Sequence, residues 1–231
     1  MTQPHGGDRT MKMGGSSFPS RADCYRSRGY AQLEGLVPRL VLQFFHGRMQ
    51  SVLDLKNAPQ FRSQTWLSTK PTIEVYSMQY SPMATFHWGL TPVACELAGS
   101  DLLPTYAYFR VYPKGATCVV HSDREACEHS MSLMVELADD IPWALCIGHD
   151  EVEQSPAPEH DFGTEQYTAI PMGAGDAVMY RGVSHRHGRI DPNPNRWSAH
   201  LFMHWVDVAG PHADQAFDQV ALRKAMAGGQ P

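Results

Sequence analysis

The 231-residue chain has only five cysteines, Cys24, Cys95, Cys118, Cys127 and Cys146, and no C-x-x-C pair among them. An odd count without that spacing argues against a disulfide framework and a structural zinc ribbon, and leaves reduced thiols as the simpler reading. A basic excess is also missing. The 19 Lys and Arg face 24 Asp and Glu, for a net charge of −5, which argues against nucleic acid as a partner. No Lys/Arg run marks a membrane surface, and no apolar run is long enough to span a bilayer. Residues 1–20 lack the apolar stretch of a secretory signal, so a cytoplasmic location is expected. No internal repeat is present. What remains is an ordinary globular composition, 42% hydrophobic and 19% charged, sufficient for one domain with a real core. Histidine stands out within it. There are 12 copies, eight of them between His121 and His204.

Residues 1–24, rich in Gly and Ser, are expected to be disordered, with a single domain over 25–231. Leu33, Leu36, Val37, Leu40, Val41, Phe44, Phe45, Met49, Val52 and Leu53 recur at three- and four-residue steps, which predicts a helix with one apolar face. Pro38 suits its first turn and Asn57-Ala58-Pro59 ends it. A short helix opens at Thr91-Pro92 and closes at Gly99. From Leu103 the pattern becomes strand-like: Tyr106, Tyr108, Arg110 and Tyr112 alternate with Ala107, Phe109 and Val111. Further strands are predicted at 72–78, 117–121, 130–137, 143–148, 166–171, 177–180, 184–190 and 197–206, separated by Gly, Pro, Asp and Asn turns. Residues 154–163 read as an acidic loop. A C-terminal helix is expected with Ala216, Phe217, Val220 and Ala221 on one face. Helices followed by about eight short strands predict a mainly β sandwich or barrel buttressed by helices.

His121-Ser122-Asp123 places an imidazole and a carboxylate two residues apart, on one face of an extended chain. Alone that pair is weak. Some 60 residues later a Gly175-Asp176 turn feeds the apolar run Ala177–Tyr180, and His185-Arg186-His187-Gly188-Arg189 follows. Two histidines and one carboxylate form the facial triad that holds non-haem Fe(II) and leaves three positions open.

Four segments together carry a resemblance. Tyr106–Gly115, His121-Ser-Asp-Arg-Glu-Ala-Cys-Glu128, Gly175-Asp-Ala-Val-Met-Tyr-Arg-Gly182 and His187-Gly-Arg189 resemble the Fe(II)/2-oxoglutarate-dependent dioxygenase superfamily, in particular small bacterial members distantly similar to prolyl hydroxylases. The resemblance covers about residues 103–207. It implies a double-stranded β-helix, or jelly roll, with iron at the mouth of the barrel. It makes His121 and Asp123 the first two ligands. His187 matches the H-x-R segment as the distal ligand, and His185 on the same strand face is the alternative. For the far carboxylate of 2-oxoglutarate the candidates are Arg189 of the H-x-R segment and Arg196, nine residues after His187. Cys118 stands where prolyl hydroxylases carry a tyrosine, so Tyr106, Tyr108 or Tyr112 is expected to supply a hydroxyl instead.

Arg110, in phase with those tyrosines, would need a partner if buried. Arg124 and Glu128 read either as substrate contacts or as an ion pair fixing the loop, and Trp143 as a residue of the mouth or of the core. His200 or His204 is expected to face inward near the site. The implied cofactors are Fe(II), 2-oxoglutarate and O2, with ascorbate as a reductant. The implied activity is hydroxylation or desaturation of a small molecule, such as an amino acid or natural-product intermediate, with release of succinate and CO2. A protein or peptide hydroxylase, and a cupin-like metal protein without 2-oxoglutarate turnover, are the competing readings. Asp123 argues against halogenation, which needs that position vacated for halide.

Overall fold

The alternating runs of the sequence fold into two antiparallel sheets, described over residues 20–55, 57–153, 156–220 and 222–223 of a computed structural model. The strands are β1 (Tyr30–Leu33), β2 (Arg62–Ser63), β3 (Thr72–Tyr76), β4 (Leu102–Pro113), β5 (Cys118–His121), β6 (His129–Leu137), β7 (Leu145–Glu151), β8 (Tyr167–Ile170), β9 (Ala177–Tyr180), β10 (His185–Arg189) and β11 (Trp197–Asp207). The larger sheet runs β1-β9-β6-β11-β4-β3-β2 and the smaller β5-β10-β7-β8. This is the expected jelly roll.

Period-two alternation divides each central strand between two environments. On one face Met131, Leu133 and Val135 of β6 and Leu201, Met203 and Trp205 of β11 pack against the helices. On the other face Tyr112, Met134, Val178, Tyr180 and Phe202 meet Leu145, Ile147 and Ile170 of the smaller sheet. The inner layer between the sheets is where the inward-facing histidines and arginines are found. No described helix is long and apolar enough to cross a membrane.

Four helices flank the larger sheet: α1 (Arg21–Arg28), α2 (Arg39–Val52), α3 (Pro82–Gly89) and α4 (Thr91–Ala98). Helix α4 matches its expected bounds, with Gly99 closing it at φ 78°. Helix α1 begins four residues before the expected start of order. Ser20 accepts from the Asp23 amide and Asp23 reaches back to the Ser20 amide, a reciprocal cap that fixes this end. The remainder of the expected disordered segment, residues 1–19, lies outside the described residues.

Three expectations need correction. Leu33 belongs to β1, where pairing with Ala177 of β9 overrides its apparent helical phase. Helix α2 starts at Arg39 and buries Leu42, Phe45, His46 and Met49, while Leu40 and Phe44 stay 80% and 77% exposed. Its apolar residues therefore surround more than one face, and packing picks the stripe at i, i+3, i+4 and i+7. The C-terminal segment is no continuous helix. The short 3-10 turns over Ala213–Asp218 break at Phe217, whose φ is 56°, so Ala216 is buried and Phe217 half exposed; Ala221 lies outside the described residues.

Candidate metal centre

The end of β5 and the start of the turn after it carry His121 and Asp123, and β10 pairs with β5 so that His187 lies directly opposite His121. The three side chains converge. Their ligand atoms all lie within 4.8 Å of one another. His121 Nε2 is 3.5 Å from Asp123 Oδ1, and His187 Nε2 is 3.5 Å from Asp123 Oδ2. Each imidazole has its other nitrogen engaged by its own strand: Nδ1 of His121 lies 2.8 Å from the Val119 carbonyl, and Nδ1 of His187 3.0 Å from the His185 carbonyl. A carbonyl only accepts, so both Nδ1 atoms donate and both Nε2 atoms keep a lone pair facing the carboxylate.

Burial alone would raise the Asp123 carboxyl, but His187 and His121 beside it outweigh that and hold it well below the usual carboxylate range. Burial pushes His187 down to about 4, which keeps it neutral near pH 7. One carboxylate and two imidazoles, with their rings fixed from behind, could hold a divalent ion. Among the described residues one other such group occurs, Asp123 with Cys127 and His204, and it shares the aspartate.

Gly182, at the end of the Gly-Asp motif, explains part of the local sequence. A Cβ there would lie 2.5 Å from Asp123 Oδ2, 2.5 Å from the Cys127 carbonyl and 2.6 Å from Ser130 Oγ. The Gly182 carbonyl also accepts from the Asp123 amide at 2.8 Å. Only a glycine lets this turn come close enough to position the aspartate.

A narrow cavity runs inward from the three residues between the sheets. Tyr108, Arg110, Tyr112, Tyr180, Arg189, Phe202 and His204 line it together with His121, Asp123 and His187. Arg189, two residues beyond His187 and on the same face, is 1% exposed. It donates to the Trp143 carbonyl at 2.8 Å and Ser132 Oγ at 3.3 Å, with longer contacts to Met172 Sδ and His200 Nδ1 at 3.4 Å. All four are neutral. Among the described residues no carboxylate pairs with it, and burial lowers its pKa from the ordinary arginine value. Arg110 lines the same cavity under different conditions: its Nε donates to Glu74 at 2.8 Å and its Nη1 to the Tyr112 hydroxyl at 2.9 Å.

The other sequence-predicted residues sort clearly. His185 is turned away from the three, its ring packed against Gly29 at the end of α1. Arg196 is exposed, tied to Asp139 at 2.8 Å and to the Ala138 carbonyl, and lines a different hollow beside α2. Its position opening β11 places it at the outer end of the strand, where an acid is within reach. Tyr108 is a cavity wall. Tyr106 is not; its hydroxyl contacts Cys127 Sγ at 3.2 Å, and Arg124 covers its ring. Arg124 pairs with Asp218 rather than Glu128, and Glu128 accepts from the Asp207 amide. Neither lines the cavity. Trp143 is 2% exposed at the inner end, its indole N–H donating to the Asp191 carbonyl and its ring under the Arg189 guanidinium, so it does not form the mouth. Phe162 of the acidic loop packs on Val120 and Cys146, on the outer face of the smaller sheet. Residues 156–163 therefore do not roof the cavity, and 154 and 155 lie outside the described residues.

Sequence reasoning missed Ser130 and Ser132. Both are fully buried on β6. Ser132 touches Arg189, while Ser130 touches Asp123 Oδ2 at 3.1 Å and His204 Nδ1 at 2.8 Å. The signal was there: two serines at i and i+2 inside an otherwise apolar central strand need polar partners.

No protein-family model matches the chain, and no curated protein matches it. Solved structures do. The non-haem α-ketoglutarate-dependent carbocyclase SnoK from nogalamycin biosynthesis is similar over 81% of this chain and 83% of its own, with a TM-score of 0.63 and 12% identity. HygX from Streptomyces hygroscopicus, solved with nickel and 2-oxoglutarate bound, is similar over 82% and 87%, with a TM-score of 0.59 and 9% identity. A Pseudomonas putida prolyl-4-hydroxylase is similar over 80% and 96%, with a TM-score of 0.52 and 13% identity. The chain has the fold that these three proteins share.

Proposed function

We propose that this protein is an Fe(II)- and 2-oxoglutarate-dependent oxygenase that hydroxylates or desaturates a small molecule, with His121, Asp123 and His187 as the iron ligands and Arg189 as the anchor for the far carboxylate of 2-oxoglutarate. One observation carries this reading. A fully buried guanidinium without a counter-ion among the described residues shares a narrow cavity with a carboxylate and two imidazoles whose Nε2 atoms face that carboxylate. An unpaired buried cation is costly, and a bound anion removes that cost.

The spacing fits a five-carbon dicarboxylate. Ser132, which touches Arg189, and Ser130, which touches Asp123, are one same-face step apart on β6, and such a step is about 7 Å. Four C–C bonds of about 1.5 Å, extended, put the outer oxygens of a five-carbon dicarboxylate roughly that far apart. Ferrous iron with 2-oxoglutarate and dioxygen supplies oxidative decarboxylation, giving succinate and CO2 and oxidising a substrate C–H bond.

The chain's own residues bind, orient and exclude. Arg189 offers a fork to the carboxylate, backed by Trp143 beneath it. Val119 and His185 hold the two imidazole tautomers through their carbonyls. Tyr108, Tyr180 and Phe202 wall the cavity and keep it dry. The narrowness of that cavity, and the likeness to SnoK of nogalamycin biosynthesis, favour a small molecule over a protein substrate. Asp123 fills the position that a halide would need, which favours oxygen insertion or desaturation over halogenation.

The test is succinate release from 2-oxoglutarate by protein supplied with Fe(II) and ascorbate under air. Wild type should release succinate slowly even without substrate, and His121→Ala should lose both iron uptake and succinate release. Unchanged iron affinity in that variant would sink the ligand assignment, whereas iron binding without succinate release from any accepted substrate would favour the cupin-like alternative.

A further inference from the structure

Of the five tryptophans, Trp66 is the most exposed, at 66%. It sits in a turn between β2 and β3 that is tied to the outer edge of β5. The Val119 amide donates to the Leu67 carbonyl at 2.9 Å, and Ser68 bridges to Cys118. Leu67 turns inward and lines the cavity. Trp66 stays outside, its ring edge-to-face with that of His121 at 6.0 Å between centroids. A lone exposed apolar side chain is ordinary. This one leans on a ligand of the candidate metal centre, where a large bare ring is a contact surface.

The larger sheet brings aromatic surface to the same cavity. Tyr108 is a cavity wall, and Tyr76, its register partner on β3, stacks on it at 5.5 Å and is 43% exposed. Tyr106, two residues along β4, lies nearly parallel to Tyr108 at 6.1 Å, so three tyrosine rings stand in a row. Charge there is already matched. Arg124, over the Tyr106 ring, pairs with Asp218, and Glu74, beside the Tyr76 hydroxyl, pairs with Arg110. An amino acid would bring an ammonium and a carboxylate, each costly to desolvate without an opposite charge. Among the described residues in contact with these rings, no carboxylate is left over for the ammonium. A flat uncharged ring needs only the aromatic surface that Trp66 and the tyrosine row present.

We infer that Trp66 and Tyr76 are substrate-binding residues, and that the substrate is an uncharged molecule with a flat ring system packed against them beside the metal ligands, rather than an amino acid. This rests on the oxygenase reading above. The experiment is proton relaxation of a probe by protein loaded with Mn(II) and 2-oxoglutarate, without oxygen, because the paramagnetic ion relaxes only protons held close to it. 2-Naphthol is the ring probe, L-proline the amino-acid probe, and Zn(II)-loaded protein the diamagnetic blank. Wild type should relax 2-naphthol and not L-proline. The affinity for 2-naphthol, read from the titrated relaxation, should fall on the order of 10-fold in Trp66→Ala and about threefold in Tyr76→Ala. Trp66→Phe, which returns a ring, should restore most of the loss. Calorimetry should find Mn(II) and 2-oxoglutarate affinities at wild-type values in all three variants. Unchanged 2-naphthol affinity in Trp66→Ala, no relaxation of 2-naphthol by wild type, or equal relaxation of L-proline overturns the proposal. So does loss of Mn(II) in Trp66→Ala, which would mean that Trp66 serves to hold His121. Wild-type protein that binds Mn(II) but no 2-oxoglutarate contradicts the oxygenase reading itself.

Discussion

Arg110 and Arg189 are both buried, both line one cavity, and both rest against aromatic rings, yet they sit in opposite electrostatic settings. On the β3–β4 side burial works against Arg110, but Tyr108, Tyr112 and Glu74 outweigh it and its pKa lies well above the ordinary value. On the β10 side burial prevails, and the pKa of Arg189 is lowered. The first is an internal ion pair that links adjacent strands through Glu74 and Arg110. The second is a cation held by carbonyl, hydroxyl, thioether and imidazole, all neutral. The compensated charge is structural, and the uncompensated one is where the proposed function puts the ligand carboxylate.

Glu74→Gln breaks the contrast from one side by making Arg110 uncompensated as well. Removing one partner of a buried pair strands the other, so unfolding by urea should show a loss of about 3–5 kcal/mol. Arg189→Leu approaches it from the other side. It removes a cation that has no carboxylate partner among the described residues, so the ligand-free protein should lose little stability. It should instead lose the stabilisation that 2-oxoglutarate adds to metal-loaded wild type, about 2.7 kcal/mol at a hundredfold excess over Kd. Thermal melts with and without the ligands read both numbers. A large loss in ligand-free Arg189→Leu would show that this arginine, too, is structural.

Acid should test the core around this comparison, because several buried imidazoles are neutral in the fold. Burial lowers His87, His129 and His187 to about 4 and His204 to about 3. These folded-state values lie below the unfolded value near 6.5, so the unfolded chain binds more protons between them. Stability is therefore complete above about pH 6.5 and falls as pH drops toward 4. Urea midpoints of metal-free protein should decline steeply across that window, and a flat profile would contradict the neutral burial of these rings. Arg196→Leu should do least: its pair with Asp139 is exposed and such pairs contribute little to stability, and 2-oxoglutarate affinity should not move.

The two arginines that the sequence left undecided show where reading it stops. Arg189 and Arg196 both lie shortly after His187, and motif spacing alone admits either. What separates them is tertiary: Asp139, 57 residues away in sequence, meets Arg196 at the surface, while among the described residues no acid pairs with Arg189. His187 over His185 is of the same kind, since the ladder with β5 sets His187 against His121. The strands were legible because their alternation is strong and their turns carry Gly, Pro and Asp; Ala177–Tyr180 has its predicted bounds. Helix α2 was legible as an element but not in orientation, because Leu40, Val41 and Phe44 make it apolar on more than one side. Ser20-x-x-Asp23 was a readable helix start that composition masked behind a Gly- and Ser-rich tail.

The account stands on Arg189 as the counter-charge to a bound dicarboxylate. Calorimetric titration of 2-oxoglutarate into Mn(II)-loaded wild type, Arg189→Leu and Arg196→Leu, without oxygen, tests this most directly. One site per chain is predicted in wild type and Arg196→Leu, with affinity roughly 100-fold or more weaker in Arg189→Leu. Wild-type affinity in Arg189→Leu, or its loss in Arg196→Leu, would contradict it.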